Sequence, residues 1–384
     1  MLTRTELGLA LDQARRTTDT LFELIRPDAL YDRPIPERHR IVFYLGHLEA
    51  FDWNLIARYA LDVASFHPAF DRLFAFGIDP PQGQLPDDTP AAWPGTAEVN
   101  RYNLRTREII DDLITQVPEQ LLHVAIEHRL MHAETLAYIL HQLPYQKKSG
   151  VGPAPPSAAP PREDFLDIPA GEAQMGIERG KEFGWDNEYQ RHGVAVPEFS
   201  IARYKVTNRQ YLEYMSEGGS VPFFWSPGEA RWTFRGMFAE YPLPLDAPVY
   251  VTQEQASGYA RWRGMRLPTE AEFQRAASGS KPSANANFRG WDPVPVTADD
   301  NGGNSISQIV GNGWEWTSTL FAPFPGFEPF PFYQNYSEPF FDNSHYVLKG
   351  ASPRTAACFL RPSFRNWFRP AYPYIYGTFR LVRA

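Results

Sequence analysis

Apolar residues recur at three- and four-residue intervals through most of residues 1–145, and the pattern then stops. Four stretches carry it. "TELGLALDQARRTTDTLFELI" opens on a threonine cap candidate, Thr5, and keeps helical spacing to its end. "RHRIVFYLGHLEAFDWNLIARYAL" (38–61), "TAEVNRYNLRTREIIDDLIT" (96–115) and "PEQLLHVAIEHRLMHAETLAYILHQL" (118–143) follow with the same period. Four helices of similar length predict a four-helix bundle over 1–145, with a longer excursion at 65–95.

Residues 146–163, "QKKSGVGPAPPSAAPPRE", have no period and are dense in Pro, Gly, Ala and Ser, which predicts a semi-rigid linker. Beyond it, 164–384 reads as an α+β domain. Short β-like pieces ("EAQMGI", "HGVAVPEFSIA", "YVLKGAS", "GTFRLVR") alternate with Gly, Pro and Asn turns, and helical pieces are few ("TNRQYLEYMSEG", "TQEQASGYARWRG").

Composition sharpens this division. Aromatics make up 15% of the chain and there are 36 prolines, which suits an irregular domain that fills space with rings. The net charge of −8, with no long Lys/Arg cluster, argues against nucleic acid as a partner. Cys358 is the single cysteine, so no intrachain disulfide framework exists and an oxidising compartment is not implied. The first residues have too short an apolar run for a signal peptide, and no run reaches membrane-spanning length. The expectation is a cytoplasmic protein without membrane partners.

Candidate chemistry lies in the bundle. On a helix, His128 and His132 stand about 40° apart, one turn from each other, the geometry in which two imidazoles meet one cation. An isolated pair of this kind is as well explained by one core and one surface histidine. His47, on a second helix with Phe43, Tyr44, Phe51 and Asn54 on its face, changes the balance, because burying a neutral imidazole among rings is costly unless its nitrogens find partners. Three such residues on two helices are better explained by a shared metal. With no cysteine or obvious carboxylate ligand beside them, the site suits Zn²⁺ with a water, or Fe²⁺ with open positions. Spacing does not separate the two. His39, His67, His123, His141, His192 and His345 show no grouping.

The motifs also resemble a known family. The N-terminal half is similar to DinB-type bundles, whose H…H-x3-H-x-E pattern is matched by His47, His128, His132 and Glu134. The C-terminal half resembles the formylglycine-generating-enzyme fold, a C-type-lectin variant. Matching stretches are "FGWDNEYQRHGVAVPEFSIARYKVTNRQYLEYM", "RLPTEAEFQRAA", "VGNGWEWTST" and "VLKGASPRTAACFLRPSFRNWFRPAYPYIYGTFRLVR". The two domains in this order resemble the ergothioneine- and ovothiol-type sulfoxide synthases, non-heme iron enzymes that use O₂ to join sulfur to the imidazole of a histidine derivative. The resemblance implies Fe(2+) held by His47, His128 and His132. It implies N-trimethylhistidine (hercynine), a chalcogen donor and O₂ as small-molecule partners. It further implies Tyr333, in "FYQNYSEPFF", as the proton-donating catalytic residue and Tyr336 as an imidazole contact. In "RNW", Asn366 would bind the substrate carboxylate and Trp367 its trimethylammonium group. Read on their own, these tyrosines and the many tryptophans, including Trp314 and Trp316 of "WEW", are core packing.

Three departures concern the substrates. Met131 stands where ergothioneine-type relatives carry Gln before the last iron ligand. Phe74, Phe76 and Gly77 replace tyrosines, and Phe368 follows Trp367 where an Asp usually helps an Arg hold the carboxylates of a cysteine-type donor. Leaving that guanidinium unpaired would cost about 1–3 kcal/mol, so the subsite is expected to be rebuilt around a donor without an amino-acid head group. The leading expectation is therefore oxidative carbon–selenium bond formation with a selenosugar, as in the selenoneine synthase branch. The alternatives are an ergothioneine-type sulfoxide synthase using cysteine or γ-glutamylcysteine, a zinc-dependent thiol transferase, and a non-enzymatic lectin-like module.

Overall fold

The computed structural model describes residues 3–76, 85–152, 156–229, 231–300 and 305–383. The chain divides into two units, Met1–Val151 and Gly152–Ala384.

In the first unit the apolar periodicity becomes α1 (Arg4–Glu23), α2 (Ile41–Asp52), α4 (Thr96–Leu113) and α5 (Glu119–Gln142), with α3 (Pro68–Phe76) inside the expected excursion. The cap of α1 is Thr3, two residues earlier than the sequence suggested. Its side chain and that of Glu6 form a reciprocal capping box, and Glu6 lies three residues after Thr3 but one after Thr5. Leu7, Leu11, Ala14, Thr18 and Leu21 make the stripe that α1 buries, largely against α5. α2 is buried on nearly every side and continues into π-helical turns over Trp53–Ala60. It packs on α3, α4 and α5. Gly46 permits this closeness, since a Cβ there would lie 2.4 Å from the Phe74 ring.

The start of the expected linker belongs to this unit. Lys147 donates to Asp32 at 2.6 Å, Lys148 bridges Ile25, and its buried ammonium donates to the Leu140 and His141 carbonyls. Those carbonyls lie in the last turn of α5, where a cation complements the helix end.

The second unit is built from short strands. One sheet orders Phe165–Ile168, Phe199–Ala202, Val382–Arg383 and Met265–Arg266; another orders Asn366–Phe368, Tyr346–Ala351, Gly313–Leu320 and Gly377–Thr378. "HGVAVPEFSIA" is two strands, because Pro197 and Glu198 break it between His192–Val196 and Phe199–Ala202. α6 (Asn208–Ser216), α7 (Gln253–Trp262) and α8 (Glu270–Ala276) each start on a threonine capping box. Trp314 and Trp316 are fully buried, and between them Glu315 pairs with Lys205 and Arg380, also buried. Among the described residues, no helix is long and apolar enough to cross a membrane.

Candidate functional site

α2 and α5 bring the three sequence-predicted histidines together. One ligand nitrogen each from His47, His128 and His132 lies within 4.8 Å of the others. His47 and His128 are buried and His132 half-buried. Phe43 stacks on His47 at 4.7 Å and Phe51 on His128 at 3.4 Å. These rings leave the imidazoles little water, and burial lowers the pKa of His47 to about 4, and those of His128 and His132 well below their ordinary value. All three are therefore neutral, the form a metal binds.

The Phe74 carbonyl lies 2.6 Å from His47 Nδ1 and can only accept, so His47 carries its proton there and presents a lone pair at Nε2. That nitrogen is 3.2 Å from Nε2 of His132, whose buried Nδ1 has no hydrogen-bond partner among the described residues. One shared proton serves two of the rings, whereas a cation serves all three. The donor set thus fits a three-imidazole metal site with open coordination positions, of the kind that holds zinc with a water or iron(II). Met131, half-buried, adjoins His132 on α5.

The register that lets the histidines meet is set by charges that the apolar pattern concealed. Arg129, fully buried beside His128, donates to Glu49 (3.0 and 2.8 Å), Asp52 (2.7 Å) and the Leu48 carbonyl (3.1 Å). Arg107 of α4 joins Glu49 to Asp19 of α1, with contacts of 2.7 Å to each. Burial would raise the Glu49 carboxyl, but Arg129 and Arg107 overcome it and hold its pKa down to about 2. Asp52, chiefly through burial, is raised. Glu49 and Asp52 inside an apolar helix, with Arg129 inside another, were the available signal.

The second unit groups the other predicted residues. Tyr333 and Tyr336 are 5.5 Å apart between ring centres, and Tyr336 lies 5.4 Å from Trp367, edge to face. Phe321 stacks on Trp367 at 4.2 Å, and Trp185 on Tyr336 at 4.1 Å. Burial and the nearby Asp186 carboxylate push the half-buried Tyr333 phenol up to about 12. Asn366, Trp367 and Phe368 form an edge strand, with Trp367 opposite Val347. The Asn366 side-chain oxygen accepts the Trp367 N–H at 2.9 Å. Arg365 anchors this strand through a buried pair with Glu270 (2.8 Å). Phe368 stacks on Tyr372 at 5.2 Å. Of Phe74, Phe76 and Gly77, Phe74 is fully buried against α2, Phe76 is the last residue of α3, and Gly77 lies outside the described residues.

Comparison with known proteins agrees with both halves. Residues 10–142 match the DinB superfamily, and residues 152–384 match the sulfatase-modifying factor enzyme 1-like domain. A protein named hercynine oxygenase from Mycolicibacterium thermoresistibile is 30% identical, the alignment covering 99% of this chain and 95% of that one. A second hercynine oxygenase, from Mycolicibacterium smegmatis, is 31% identical over 84% of each chain. Ergothioneine biosynthesis protein 1 of Schizosaccharomyces pombe is 27% identical over 94% of this chain and 54% of its own length. A helical DinB-superfamily half followed by a sulfatase-modifying-factor-like half, similar along its whole length to hercynine oxygenases, makes this chain a member of the hercynine oxygenase family.

Proposed function

We propose that the protein is an iron(II)- and O₂-dependent enzyme that forms a carbon–chalcogen bond on the imidazole of N-trimethylhistidine. The buried cluster of His47, His128 and His132 carries this reading. Iron held there supplies one-electron activation of O₂ and of the donor.

The remaining work belongs to the chain's own side chains. Trp367 offers a π face to the trimethylammonium group, a cation that cannot donate hydrogen bonds, and Tyr336 contacts the imidazole. Asn366 holds the substrate carboxylate, and Met131 packs against the imidazole. Tyr333 delivers a proton during oxygen reduction; a phenol raised to about 12 stays protonated near neutral pH and carries no charge beforehand.

The names of the relatives favour the ergothioneine-type reading, for which the proposed donor is a thiol, cysteine or γ-glutamylcysteine. Phe368 favours a second reading, in which a neutral selenosugar is the donor. An apolar ring stands where a carboxylate would help bind an amino-acid head group, and it is engaged with Tyr372 rather than with a charge. Turnover of the iron-loaded protein with N-trimethylhistidine and each donor separates them. O₂-dependent coupling with a thiol alone removes the selenosugar reading, and coupling with the selenosugar alone removes the thiol. O₂-independent transfer with zinc removes both. Ligand affinity unchanged in His132→Ala, without metal in the parent, leaves a binding module.

A further inference from the structure

Trp185–Glu188 is a stretch of buried residues whose polar side chains and backbone reach the second unit's segments bearing proposed substrate groups, the loop 330–337 and the strand Asn366–Phe368. Asp186, Asn187 and Glu188 are at most 1% exposed. Glu188 accepts from Arg361 (2.8 Å) and Ser363 (2.6 Å), and the Asn187 carbonyl accepts from Arg365 (3.3 Å), next to Asn366 and Trp367. Asp186 turns to the loop 330–337. The backbone N–H of Phe330 donates to its carboxylate at one end of that loop, and the Ser337 hydroxyl donates to Oδ1 at the other. Asn187 Nδ2 donates to the same Ser337 oxygen at 2.9 Å.

Between these two anchors the backbone makes two successive tight turns, Tyr333 N–H to the Phe330 carbonyl (3.0 Å) and Tyr336 N–H to the Tyr333 carbonyl (3.2 Å). Tyr333 therefore stands midway in a short loop tied at both ends to one carboxylate. Asp186 Oδ2 has no hydrogen-bond partner among the described residues. Keeping a buried carboxylate half-satisfied is costly, and a fold that needed only packing here would do better with an apolar side chain.

We infer that Asp186 is a positioning residue for Tyr333: its carboxylate, with Ser337, fixes the loop 330–337 so that the phenol is delivered in one orientation. The inference rests on the role of Tyr333 proposed above, and the following experiment keeps the two apart.

Asp186→Asn keeps the shape and an acceptor oxygen but removes the negative charge, and hydrogen bonds to a charged acceptor are about twice as strong as neutral ones, so the ties to the loop weaken. Displacing a catalytic group by about 1 Å costs about 100-fold in rate, so kcat for coupling is expected to fall by about that factor while KM for N-trimethylhistidine moves less than about threefold. In the Tyr333→Phe background the same substitution should cost no further rate, because Asp186 acts through that phenol. In the metal-free protein, hydrogen exchange of the 330–337 amides should accelerate while α6 and α7 keep their protection. Ser337→Ala, which removes one anchor, gives the same pattern more weakly and serves if Asp186→Asn does not fold. Losses that add in the double variant, or unchanged 330–337 exchange in Asp186→Asn and Ser337→Ala, overturn the positioning role. Tyr333→Phe at parental speed instead overturns the reading of Tyr333, and the exchange result still judges the loop.

Discussion

Replacing Arg129 by Met tests whether the buried charge clamp holds the histidines in register. Methionine fills similar volume but removes the donors to Glu49, Asp52 and the Leu48 carbonyl. Glu49 keeps Arg107, so its charge stays matched. Asp52 does not: it is fully buried, and its other oxygen already has no partner among the described residues. Breaking a buried pair from one side costs about 3–5 kcal/mol, and the lower end applies because Asp52 escapes part of the cost by taking a proton. That escape gives the loss a sign in pH. A carboxyl whose folded pKa is raised contributes stability below its unfolded value and loses it as pH rises through the folded one. Burial already raises Asp52, and losing the Arg129 attraction raises it further. The deficit of Arg129→Met should therefore be larger at a pH well above the ordinary carboxylate range than at one close to it, and Asp52→Asn in that background should recover about 1–3 kcal/mol, the cost of one unmatched buried group. Native-state hydrogen exchange of α2 and α5 amides reads these opening free energies directly. Metal affinity should weaken about 10–100-fold as α2 loosens against α5. A loss below about 1 kcal/mol, equal at both pH values, would refute the clamp.

Two further outcomes follow from single contacts. Tyr333→Phe should retain metal and N-trimethylhistidine binding while losing most of the coupling rate, measured by product formation against calorimetric affinity; parental speed assigns the proton to another group. Gly46→Ala puts a Cβ 2.4 Å from the Phe74 ring, so α3 must move or the unit loses about 1–3 kcal/mol, which urea denaturation monitored at α-helical wavelengths would detect.

The helices of the first unit were legible because their apolar spacing is strong and long, and the histidine pair because one turn of helix fixes its geometry. α3 was not read, since the Phe-rich stretch at 68–76 is short and its packing depends on Gly46, a contact far away in sequence. The Arg129–Glu49–Asp52 clamp was invisible to a pattern that sorts residues into apolar and polar, because its charges sit on faces that the fold buries. In the second unit periodicity placed only some strands. The two-residue strands Gly377–Thr378 and Val382–Arg383 exist through pairing with distant partners, so "GTFRLVR" carried no local sign of its break. Tyr333, Tyr336 and Trp367 stood out by family resemblance alone; ring-rich loops of this kind are ordinarily packing. "WDNE" carried the same resemblance, yet its links to Ser337, Arg361 and Arg365 span far more chain than any local pattern reads.

The central claim is one cation held by three imidazoles. Ferrous ion titrated under anaerobic conditions into the parent chain, and into His47→Ala, His128→Ala and His132→Ala, tests it most directly. The account predicts a single tight site per chain in the parent, lost in each variant, with O₂ consumption in the presence of N-trimethylhistidine and donor lost alongside. Equal iron binding in the parent and all three variants would contradict it.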